Sequence, residues 1–236
     1  MLKRPCPVIL FFVFICSFIT FVPGQEPSQQ SKSHRPDEQV VDIETALKRL
    51  VEGNRRFQRN QPVHPHATVQ RRVTLGLTGQ HPFAIILSCA DSRVPPESIF
   101  DAGLGDLFVV RVAGHIVDDA VIGSIEYASE HLGARLVVVL GHEKCGAVQA
   151  AIDNNREAHL RYLVEAIQPA VVKVRTRTPP TDPRGFVDRV VWANVFEAMS
   201  VLETSEPVLR KMVSEQKLKI LGAVYHLDTG KVEFPR

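Results

Sequence analysis

The sequence predicts an α/β protein with a mainly parallel central sheet flanked by helices, an N-terminal helical arm and a C-terminal hairpin. Three observations lead there. From Phe83 onward, short β-rich runs alternate with stretches at helical spacing; Leu136–Leu140 is a β-branched run of the kind buried in parallel sheets; and two cysteine motifs begin where apolar runs end. Alternating strands and helices imply parallel pairing with right-handed crossovers. Ligands then gather at the carboxyl ends of the strands.

The first 25 residues read as an export signal. Lys3 and Arg4 form a positive start, Pro7 to Val22 is an apolar stretch of 16 residues, and Val22-Pro23-Gly24 supplies fairly small residues before a cleavage point. The stretch is short of the ~20 residues that span a bilayer comfortably. Cleavage gives an exported chain, periplasmic or secreted, and an uncleaved anchor is the alternative. Cys16 follows Phe14-Ile15 rather than a small residue, which disfavours lipid attachment, and Cys6 and Cys16 leave with the signal. Residues 26–41 are polar and rich in Ser, Gln, Pro and charge, as in a flexible tether. Residues 42–236 form the globular domain.

Within the domain, Ile43 to Phe57 carries Ala46, Leu47, Leu50, Val51 and Phe57 at helical spacing. This amphipathic helix needs a surface from its own domain or from another subunit. Thr68 to Thr78 is a second, short helix. Phe83–Ser88 and Asp106–Arg111 are strands. Asp118–Leu132 is a helix with Val121, Ile122, Ile125 and Ala128 on one face. After the strand Leu136–Leu140, Val148 to Val174 is mostly helical with a break near Asn154-Asn155. The prolines at 179, 180 and 183 mark a loop, and Phe186 to Gln216 is helical with an interruption at Pro207. Lys219–His226 and Lys231–Phe234 form the closing hairpin.

At 236 residues and 44% hydrophobic content, the chain can bury a substantial core. The formal charge of +2 includes Lys3 and Arg4, so without the signal 26 basic residues balance 26 acidic ones. A neutral chain offers no footprint for nucleic acid. The cluster Arg55, Arg56, Arg59, Arg71 and Arg72 reads as a solvated helix face. No membrane contact is expected of the mature form unless the signal stays uncleaved.

Only Cys89 and Cys145 remain after the signal is removed. In an exported chain two thiols ordinarily suggest a disulfide, but the neighbours argue for a metal. Cys89 opens Cys89-Ala90-Asp91-Ser92-Arg93, and Cys145 closes His142-Glu143-Lys144-Cys145. Two thiolates and an imidazole fill three positions of a tetrahedral zinc site, and a catalytic zinc keeps the fourth for water or substrate. His142 and Cys145 are three apart, and at a helix start that spacing puts both on one face. Gly141 and Gly146 flank them and allow close backbone approach. Cys89, Asp91 and Arg93 alternate, so an extended chain points them to one side. Asp91 then either pairs with Arg93, leaving the fourth position to water, or joins Cys89, His142 and Cys145 on the zinc. There is no C-x-x-C, which excludes zinc-finger spacing, and the zinc-deaminase signature is also missing.

Cys-Ala-Asp-Ser-Arg, followed about fifty residues later by Gly-His-x-x-Cys-Gly, resembles the β-class carbonic anhydrases. The similarity runs from Ala46 to Phe234, through Glu52-Gly53-Asn54-Arg55-Arg56-Phe57, Phe108-Val109-Val110-Arg111, Ile125-Glu126-Tyr127 and Gly222-Ala223-Val224-Tyr225. The resemblance implies that Cys89, His142 and Cys145 bind Zn2+ and that the Asp91–Arg93 pair orients or gates the fourth ligand. It further implies that Gln80 hydrogen-bonds substrate and that Tyr127 lies near the site. The stretch Arg111-Val112-Ala113-Gly114-His115 departs from the plant-like pattern. The reaction implied is reversible hydration of carbon dioxide to bicarbonate and a proton by a homodimer or higher homo-oligomer.

Physically, zinc lowers the pKa of bound water and yields a hydroxide nucleophile. Two thiolates offset the metal's charge, so activity should favour alkaline conditions. Asp91 can accept the hydroxide's hydrogen bond while Arg93 holds Asp91. His115 and His131 are the weak candidates for carrying the proton away. Two other functions share the ligand set. Hydrolysis of carbon disulfide or carbonyl sulfide would differ in access to the pocket. A non-catalytic zinc-binding protein would have no use for Asp91, Arg93 and Gln80.

Overall fold

A computed structural model describes residues 40–177 and 183–235. The expected signal and nearly all of the expected tether therefore lie outside the described residues. No described helix is long and apolar enough to cross a membrane.

The first helix, α1 (Ile43–Gln58), starts where Asp42 accepts from the Thr45 N–H at 2.8 Å. Its buried face, with Ala46 and Leu50, packs in one cluster with Ile86 and Val138 of the sheet, so its partner surface is its own domain. The Gly53-Asn54 pair explains how closely it docks. A Cβ at Gly53 would sit 1.8 Å from the Phe100 carbonyl oxygen. Asn54 Nδ2 donates to the carbonyls of Ile99 and Gly230, and its Oδ1 accepts from the Val232 N–H.

Helix α2 (Val69–Thr78) is capped by Thr68 and has no buried residue. It leads to β1 (Ala84–Ser88), the short α3 (Pro96–Ile99) and β2 (Leu107–Arg111). A 3₁₀ turn, Ala113–His115, precedes α4 (Asp119–Glu130), whose N-cap is Asp118. Then follow β3 (Leu136–His142), α5 (Gly146–Ile152), α6 (Leu160–Arg177), α7 (Pro183–Thr204), α8 (Leu209–Ser214), β4 (Lys219–Tyr225) and β5 (Val232–Glu233).

The sheet runs β2-β1-β3-β4-β5, the first four strands parallel and β5 antiparallel to β4. Both central strands, β1 and β3, are buried along their whole length, as strands covered on two faces must be. Their side chains alternate between two cores. Ile85, Leu87, Val137 and Val139 face the larger one under α4 to α8, while Ala84, Ile86, Leu136 and Val138 face the smaller one under α1 and α3.

Strand β3 is two residues longer than its apolar run predicts. Gly141 and His142 continue the ladder opposite Val224 and Tyr225 of β4. Backbone pairing, not side-chain propensity, carries the strand to His142, the second of the three metal-ligand candidates.

Candidate metal centre

Cys89 follows the last residue of β1, and His142 ends the neighbouring parallel strand β3. Adjacent parallel strands end at one edge of the sheet, so the two meet across it. His142 does not stand at a helix start, which corrects the expected geometry. It is joined to Cys145 by a tight turn through Glu143 and Lys144, the latter at φ 51°, and Cys145 is the N-cap of α5. The ligand atoms of Cys89, His142 and Cys145 lie within 4.8 Å of one another, and all three residues are buried. Among the described residues this is the one group of three or more His, Cys, Asp or Glu side chains so placed.

The flanking glycines differ. A Cβ at Gly141 would lie 2.7 Å from Val195 Cγ2 and 3.2 Å from Val191 Cγ1, so helix α7 requires the glycine. Nothing lies within 4 Å of a Cβ at Gly146. The expected close approach at Gly146 is therefore absent.

The imidazole is already oriented for a metal. His142 Nδ1 is 2.8 Å from the Glu143 carbonyl oxygen, which can only accept, so Nδ1 carries the proton and Nε2 keeps its lone pair. Nε2 is buried and has no hydrogen-bond partner. A buried acceptor left bare is costly, and a cation beside it removes the cost. The thiols fit the same reading. A hydrogen bond from Cys145 pulls the Cys89 thiol down, and the same contact with burial pushes Cys145 up; a cation bound between the two sulfurs would displace their protons. Cys89 Sγ also accepts the backbone N–H groups of Asp91 at 3.4 Å and Gly114 at 3.3 Å.

Asp91 and Arg93 meet, though not through the expected extended alternation. The chain turns at Ser92-Arg93, and Asp91 Oδ1 accepts the backbone N–H of Arg93 at 2.9 Å. Arg93 Nε then reaches Oδ1 at 2.9 Å and Nη2 reaches Oδ2 at 2.6 Å. These bonds hold the Asp91 carboxyl well below the usual carboxylate range. Oδ2 lies 3.9 Å from His142 Nε2, which places the carboxylate beside the ligand cluster while both its oxygens face Arg93. Arg93 Nη2 also donates to the Lys144 carbonyl at 3.2 Å, tying the two ligand loops together.

Gln80 and Tyr127 are not brought to this cluster. Gln80 is exposed and precedes the amino end of β1, whereas Cys89 follows its carboxyl end. Tyr127 is half-exposed on α4 and packs its ring against Phe108 and His131. His131 is exposed. His115 is fully buried, and burial pushes its pKa down to about 4, so it is a neutral interior residue and not a carrier to solvent.

Three further residues were not assigned a role from sequence. Arg111 donates to the carbonyls of Cys89 and Asp91, at 3.1 and 2.6 Å, and so pins the first ligand loop. Gly114 supplies the amide to Cys89 Sγ. Asn194 holds the Gly114 carbonyl at 2.9 Å from α7. Arg111 and Gly114 sit in the stretch that departs from the plant-like pattern. Asn194 is a buried amide between Ala193 and Val195, and that was its only signal.

The sequence matches the family profile described as carbonic anhydrase over residues 84–232. Carbonic anhydrase 2 of Mycobacterium tuberculosis (strain H37Rv) is 42% identical over 191 residues, covering 79% of this chain and 89% of its own. A carbonic anhydrase of Mycolicibacterium smegmatis is 39% identical over 193 residues, covering 80% and 91%. Among solved structures, a β-carbonic anhydrase of Aspergillus fumigatus superposes with a TM-score of 0.65 at 26% identity, covering 82% of this chain and 90% of that one. A tetrameric β-carbonic anhydrase of Sordaria macrospora gives 0.63 at 26% identity, covering 70% and 86%.

Proposed function

Because this chain belongs to the β-class carbonic anhydrase family, we propose that it hydrates carbon dioxide at a zinc ion bound by Cys89 Sγ, His142 Nε2 and Cys145 Sγ. The observation that carries this reading is the buried cluster of three donors with His142 Nε2 left bare. Zinc held by these donors would supply an activated water as the nucleophile for carbon dioxide, most readily at alkaline pH because two thiolates offset the metal's charge.

The chain's own residues do the rest. The Glu143 carbonyl fixes the His142 tautomer, and the Asp91 and Gly114 amides hold the Cys89 sulfur in place. Asp91, ionised by its contact with Arg93, can only accept hydrogen bonds. It therefore holds a proton donor in one direction and leaves the opposite side of that donor for substrate. Arg93 keeps the carboxylate from rotating, because it grips both oxygens.

The site is read as part of a homo-oligomer. Helix α2 exposes Val69, Val73 and Leu77, which are four apart and so share one face. Gln80 precedes the amino end of β1 and Cys89 follows its carboxyl end, and the five-residue strand between them spans about 16 Å. A contact of Gln80 with substrate thus calls for a second subunit. The tetrameric Sordaria macrospora enzyme is consistent with such an assembly. The first 25 residues are read as a cleaved export signal, and N-terminal sequencing of protein recovered outside the cytoplasm should begin near Gln25 or Glu26.

Elemental analysis should find one zinc per chain, lost together with carbon dioxide hydration in Cys89→Ser. Full hydration activity in metal-free protein would overturn the proposal. A parallel assay with carbon disulfide separates the related hydrolase activity.

A further inference from the structure

The turn that follows β2 brings an amide to the metal cluster by an expensive route. Gly114 sits at φ 68°, and a Cβ there would meet Ile167 Cδ1 at 2.7 Å. His115 follows in the left-handed region at φ 43°, a conformation that few residues other than glycine adopt. Its imidazole is wholly buried, and its Nδ1 has no hydrogen-bond partner. One residue of a distant helix holds this turn together. Asn194 Nδ2 of α7 donates to the Gly114 carbonyl at 2.9 Å and lies 3.0 Å from His115 Nε2. An amide NH₂ has two hydrogens and only donates, so His115 Nε2 accepts and the ring proton sits on Nδ1. The product of the arrangement is a single bond: the Gly114 N–H to Cys89 Sγ, at 3.3 Å.

We propose that Asn194 and His115 are positioning residues that clamp the Gly114 amide onto the Cys89 sulfur and so set how strongly that thiolate donates to the bound metal. An N–H aimed at a thiolate stabilises its lone pairs and weakens it as a donor, leaving the metal more electrophilic. The clamp has three parts on two segments, and each is needed. The turn carries the amide, the His115 ring supplies an acceptor that fixes the direction of Asn194, and α7 brings Asn194 against the sheet where Val195 packs on Gly141. The inference rests on the reading of Cys89 as a metal ligand.

Cobalt(II) substitution in the full-length protein tests both layers separately. Wild-type protein should show a thiolate-to-cobalt charge-transfer band, and a missing band would defeat the ligand reading itself. With the band present, Asn194→Leu and His115→Leu should shift it to lower energy, because the released thiolate donates more strongly to the cobalt. His115→Gln carries an amide oxygen out to the reach of Nε2, so folded protein of this variant should keep the wild-type band. Folded variants with a lower melting temperature but an unmoved band would overturn the clamp. Wild-type protein loaded with ¹¹³Cd gives a check that needs no variant. A scalar coupling between cadmium and the Gly114 amide proton is expected, and its absence would also overturn the clamp.

Discussion

Replacing Arg93 with alanine removes two guanidinium bonds from the Asp91 carboxylate, at 2.9 and 2.6 Å, and leaves the backbone bond from residue 93 in place. It also cuts the 3.2 Å bond to the Lys144 carbonyl. The Arg93 side chain is 49% exposed, so for stability the pair counts as a surface ion pair worth about 0.2–1 kcal/mol. In a domain of this size that is a fall of no more than about 4 °C in melting temperature. The kinetic effect should be far larger. A carboxylate free to rotate no longer directs a hydrogen bond beside the reacting atoms. Losing one such preorganised group commonly costs about 10²–10³ in rate, or about 2.7–4 kcal/mol. Arg93→Ala should therefore keep its zinc and nearly all its stability while losing most of its turnover. The same holds for Asp91→Ala. Stopped-flow carbon dioxide hydration, zinc content and melting temperature on the same samples provide the measurement. Turnover near wild type with zinc retained would reduce the dyad to a local ion pair. Loss of zinc together with a collapsed melting temperature would show that it is structural.

Gly141→Ala forces a methyl against Val195 and Val191 and should destabilise by about 1–3 kcal/mol through overpacking, whereas Gly146→Ala meets nothing and should be neutral or stabilising by up to about 1 kcal/mol; equilibrium denaturation compares the two. Burial opposes the charge on His226, but its bonds to Glu143 and Glu233 prevail and raise its pKa above the usual 6.5. The stability it contributes is complete below the unfolded value and is lost as pH rises through the folded one. Melting temperatures of wild type and His226→Gln should thus differ at pH 6 and converge at alkaline pH; a constant difference would contradict this. Since Arg93 keeps Asp91 ionised and paired, X-ray absorption at mildly acidic pH should find the zinc shell still containing a non-protein oxygen, with an unchanged spectrum in Asp91→Asn.

The strands β1 and β3 were readable because strands buried on both faces leave continuous apolar runs. The end of β3 was not, since Gly141 and His142 have no strand preference and are held by pairing with β4. The three candidate metal donors, which the fold brings together, were legible from their types and from the ends of the runs that carry them. Their local geometry was less so. Spacing suggested an extended chain from Cys89 to Arg93 and a helix start at His142, and turns at Ser92 and at Lys144 do that work instead. A turn stabilised by its own side-chain bonds, such as Arg93 N–H to Asp91, has no hydrophobic period to reveal it. The clamp on Cys89 was illegible for another reason. Asn194 acts across 80 residues of sequence on a backbone carbonyl, and backbone groups leave no mark on residue identity.

The sheet's two separate cores bear on how the protein tolerates change. Cys89 and Cys145 pack within the larger core, with Val148 and Ile167, and neither belongs to the smaller core of Leu50, Ile99 and Phe100. A full layer of backbone stands between the two. Substitutions such as Leu50→Val and Ile167→Val should therefore combine additively in stability, as distant sites without shared partners do. Pairs drawn within the larger core should interact, and their strain should reach the metal. Mutational drift in the smaller core away from Val94 and Tyr225, which adjoin the Asp91–Arg93 and His142–Glu143 segments, stays on the far side of the sheet from the thiolates. An engineer seeking a hardier enzyme should work there first, where each gain in stability can be tested without retuning the thiolates on the other side.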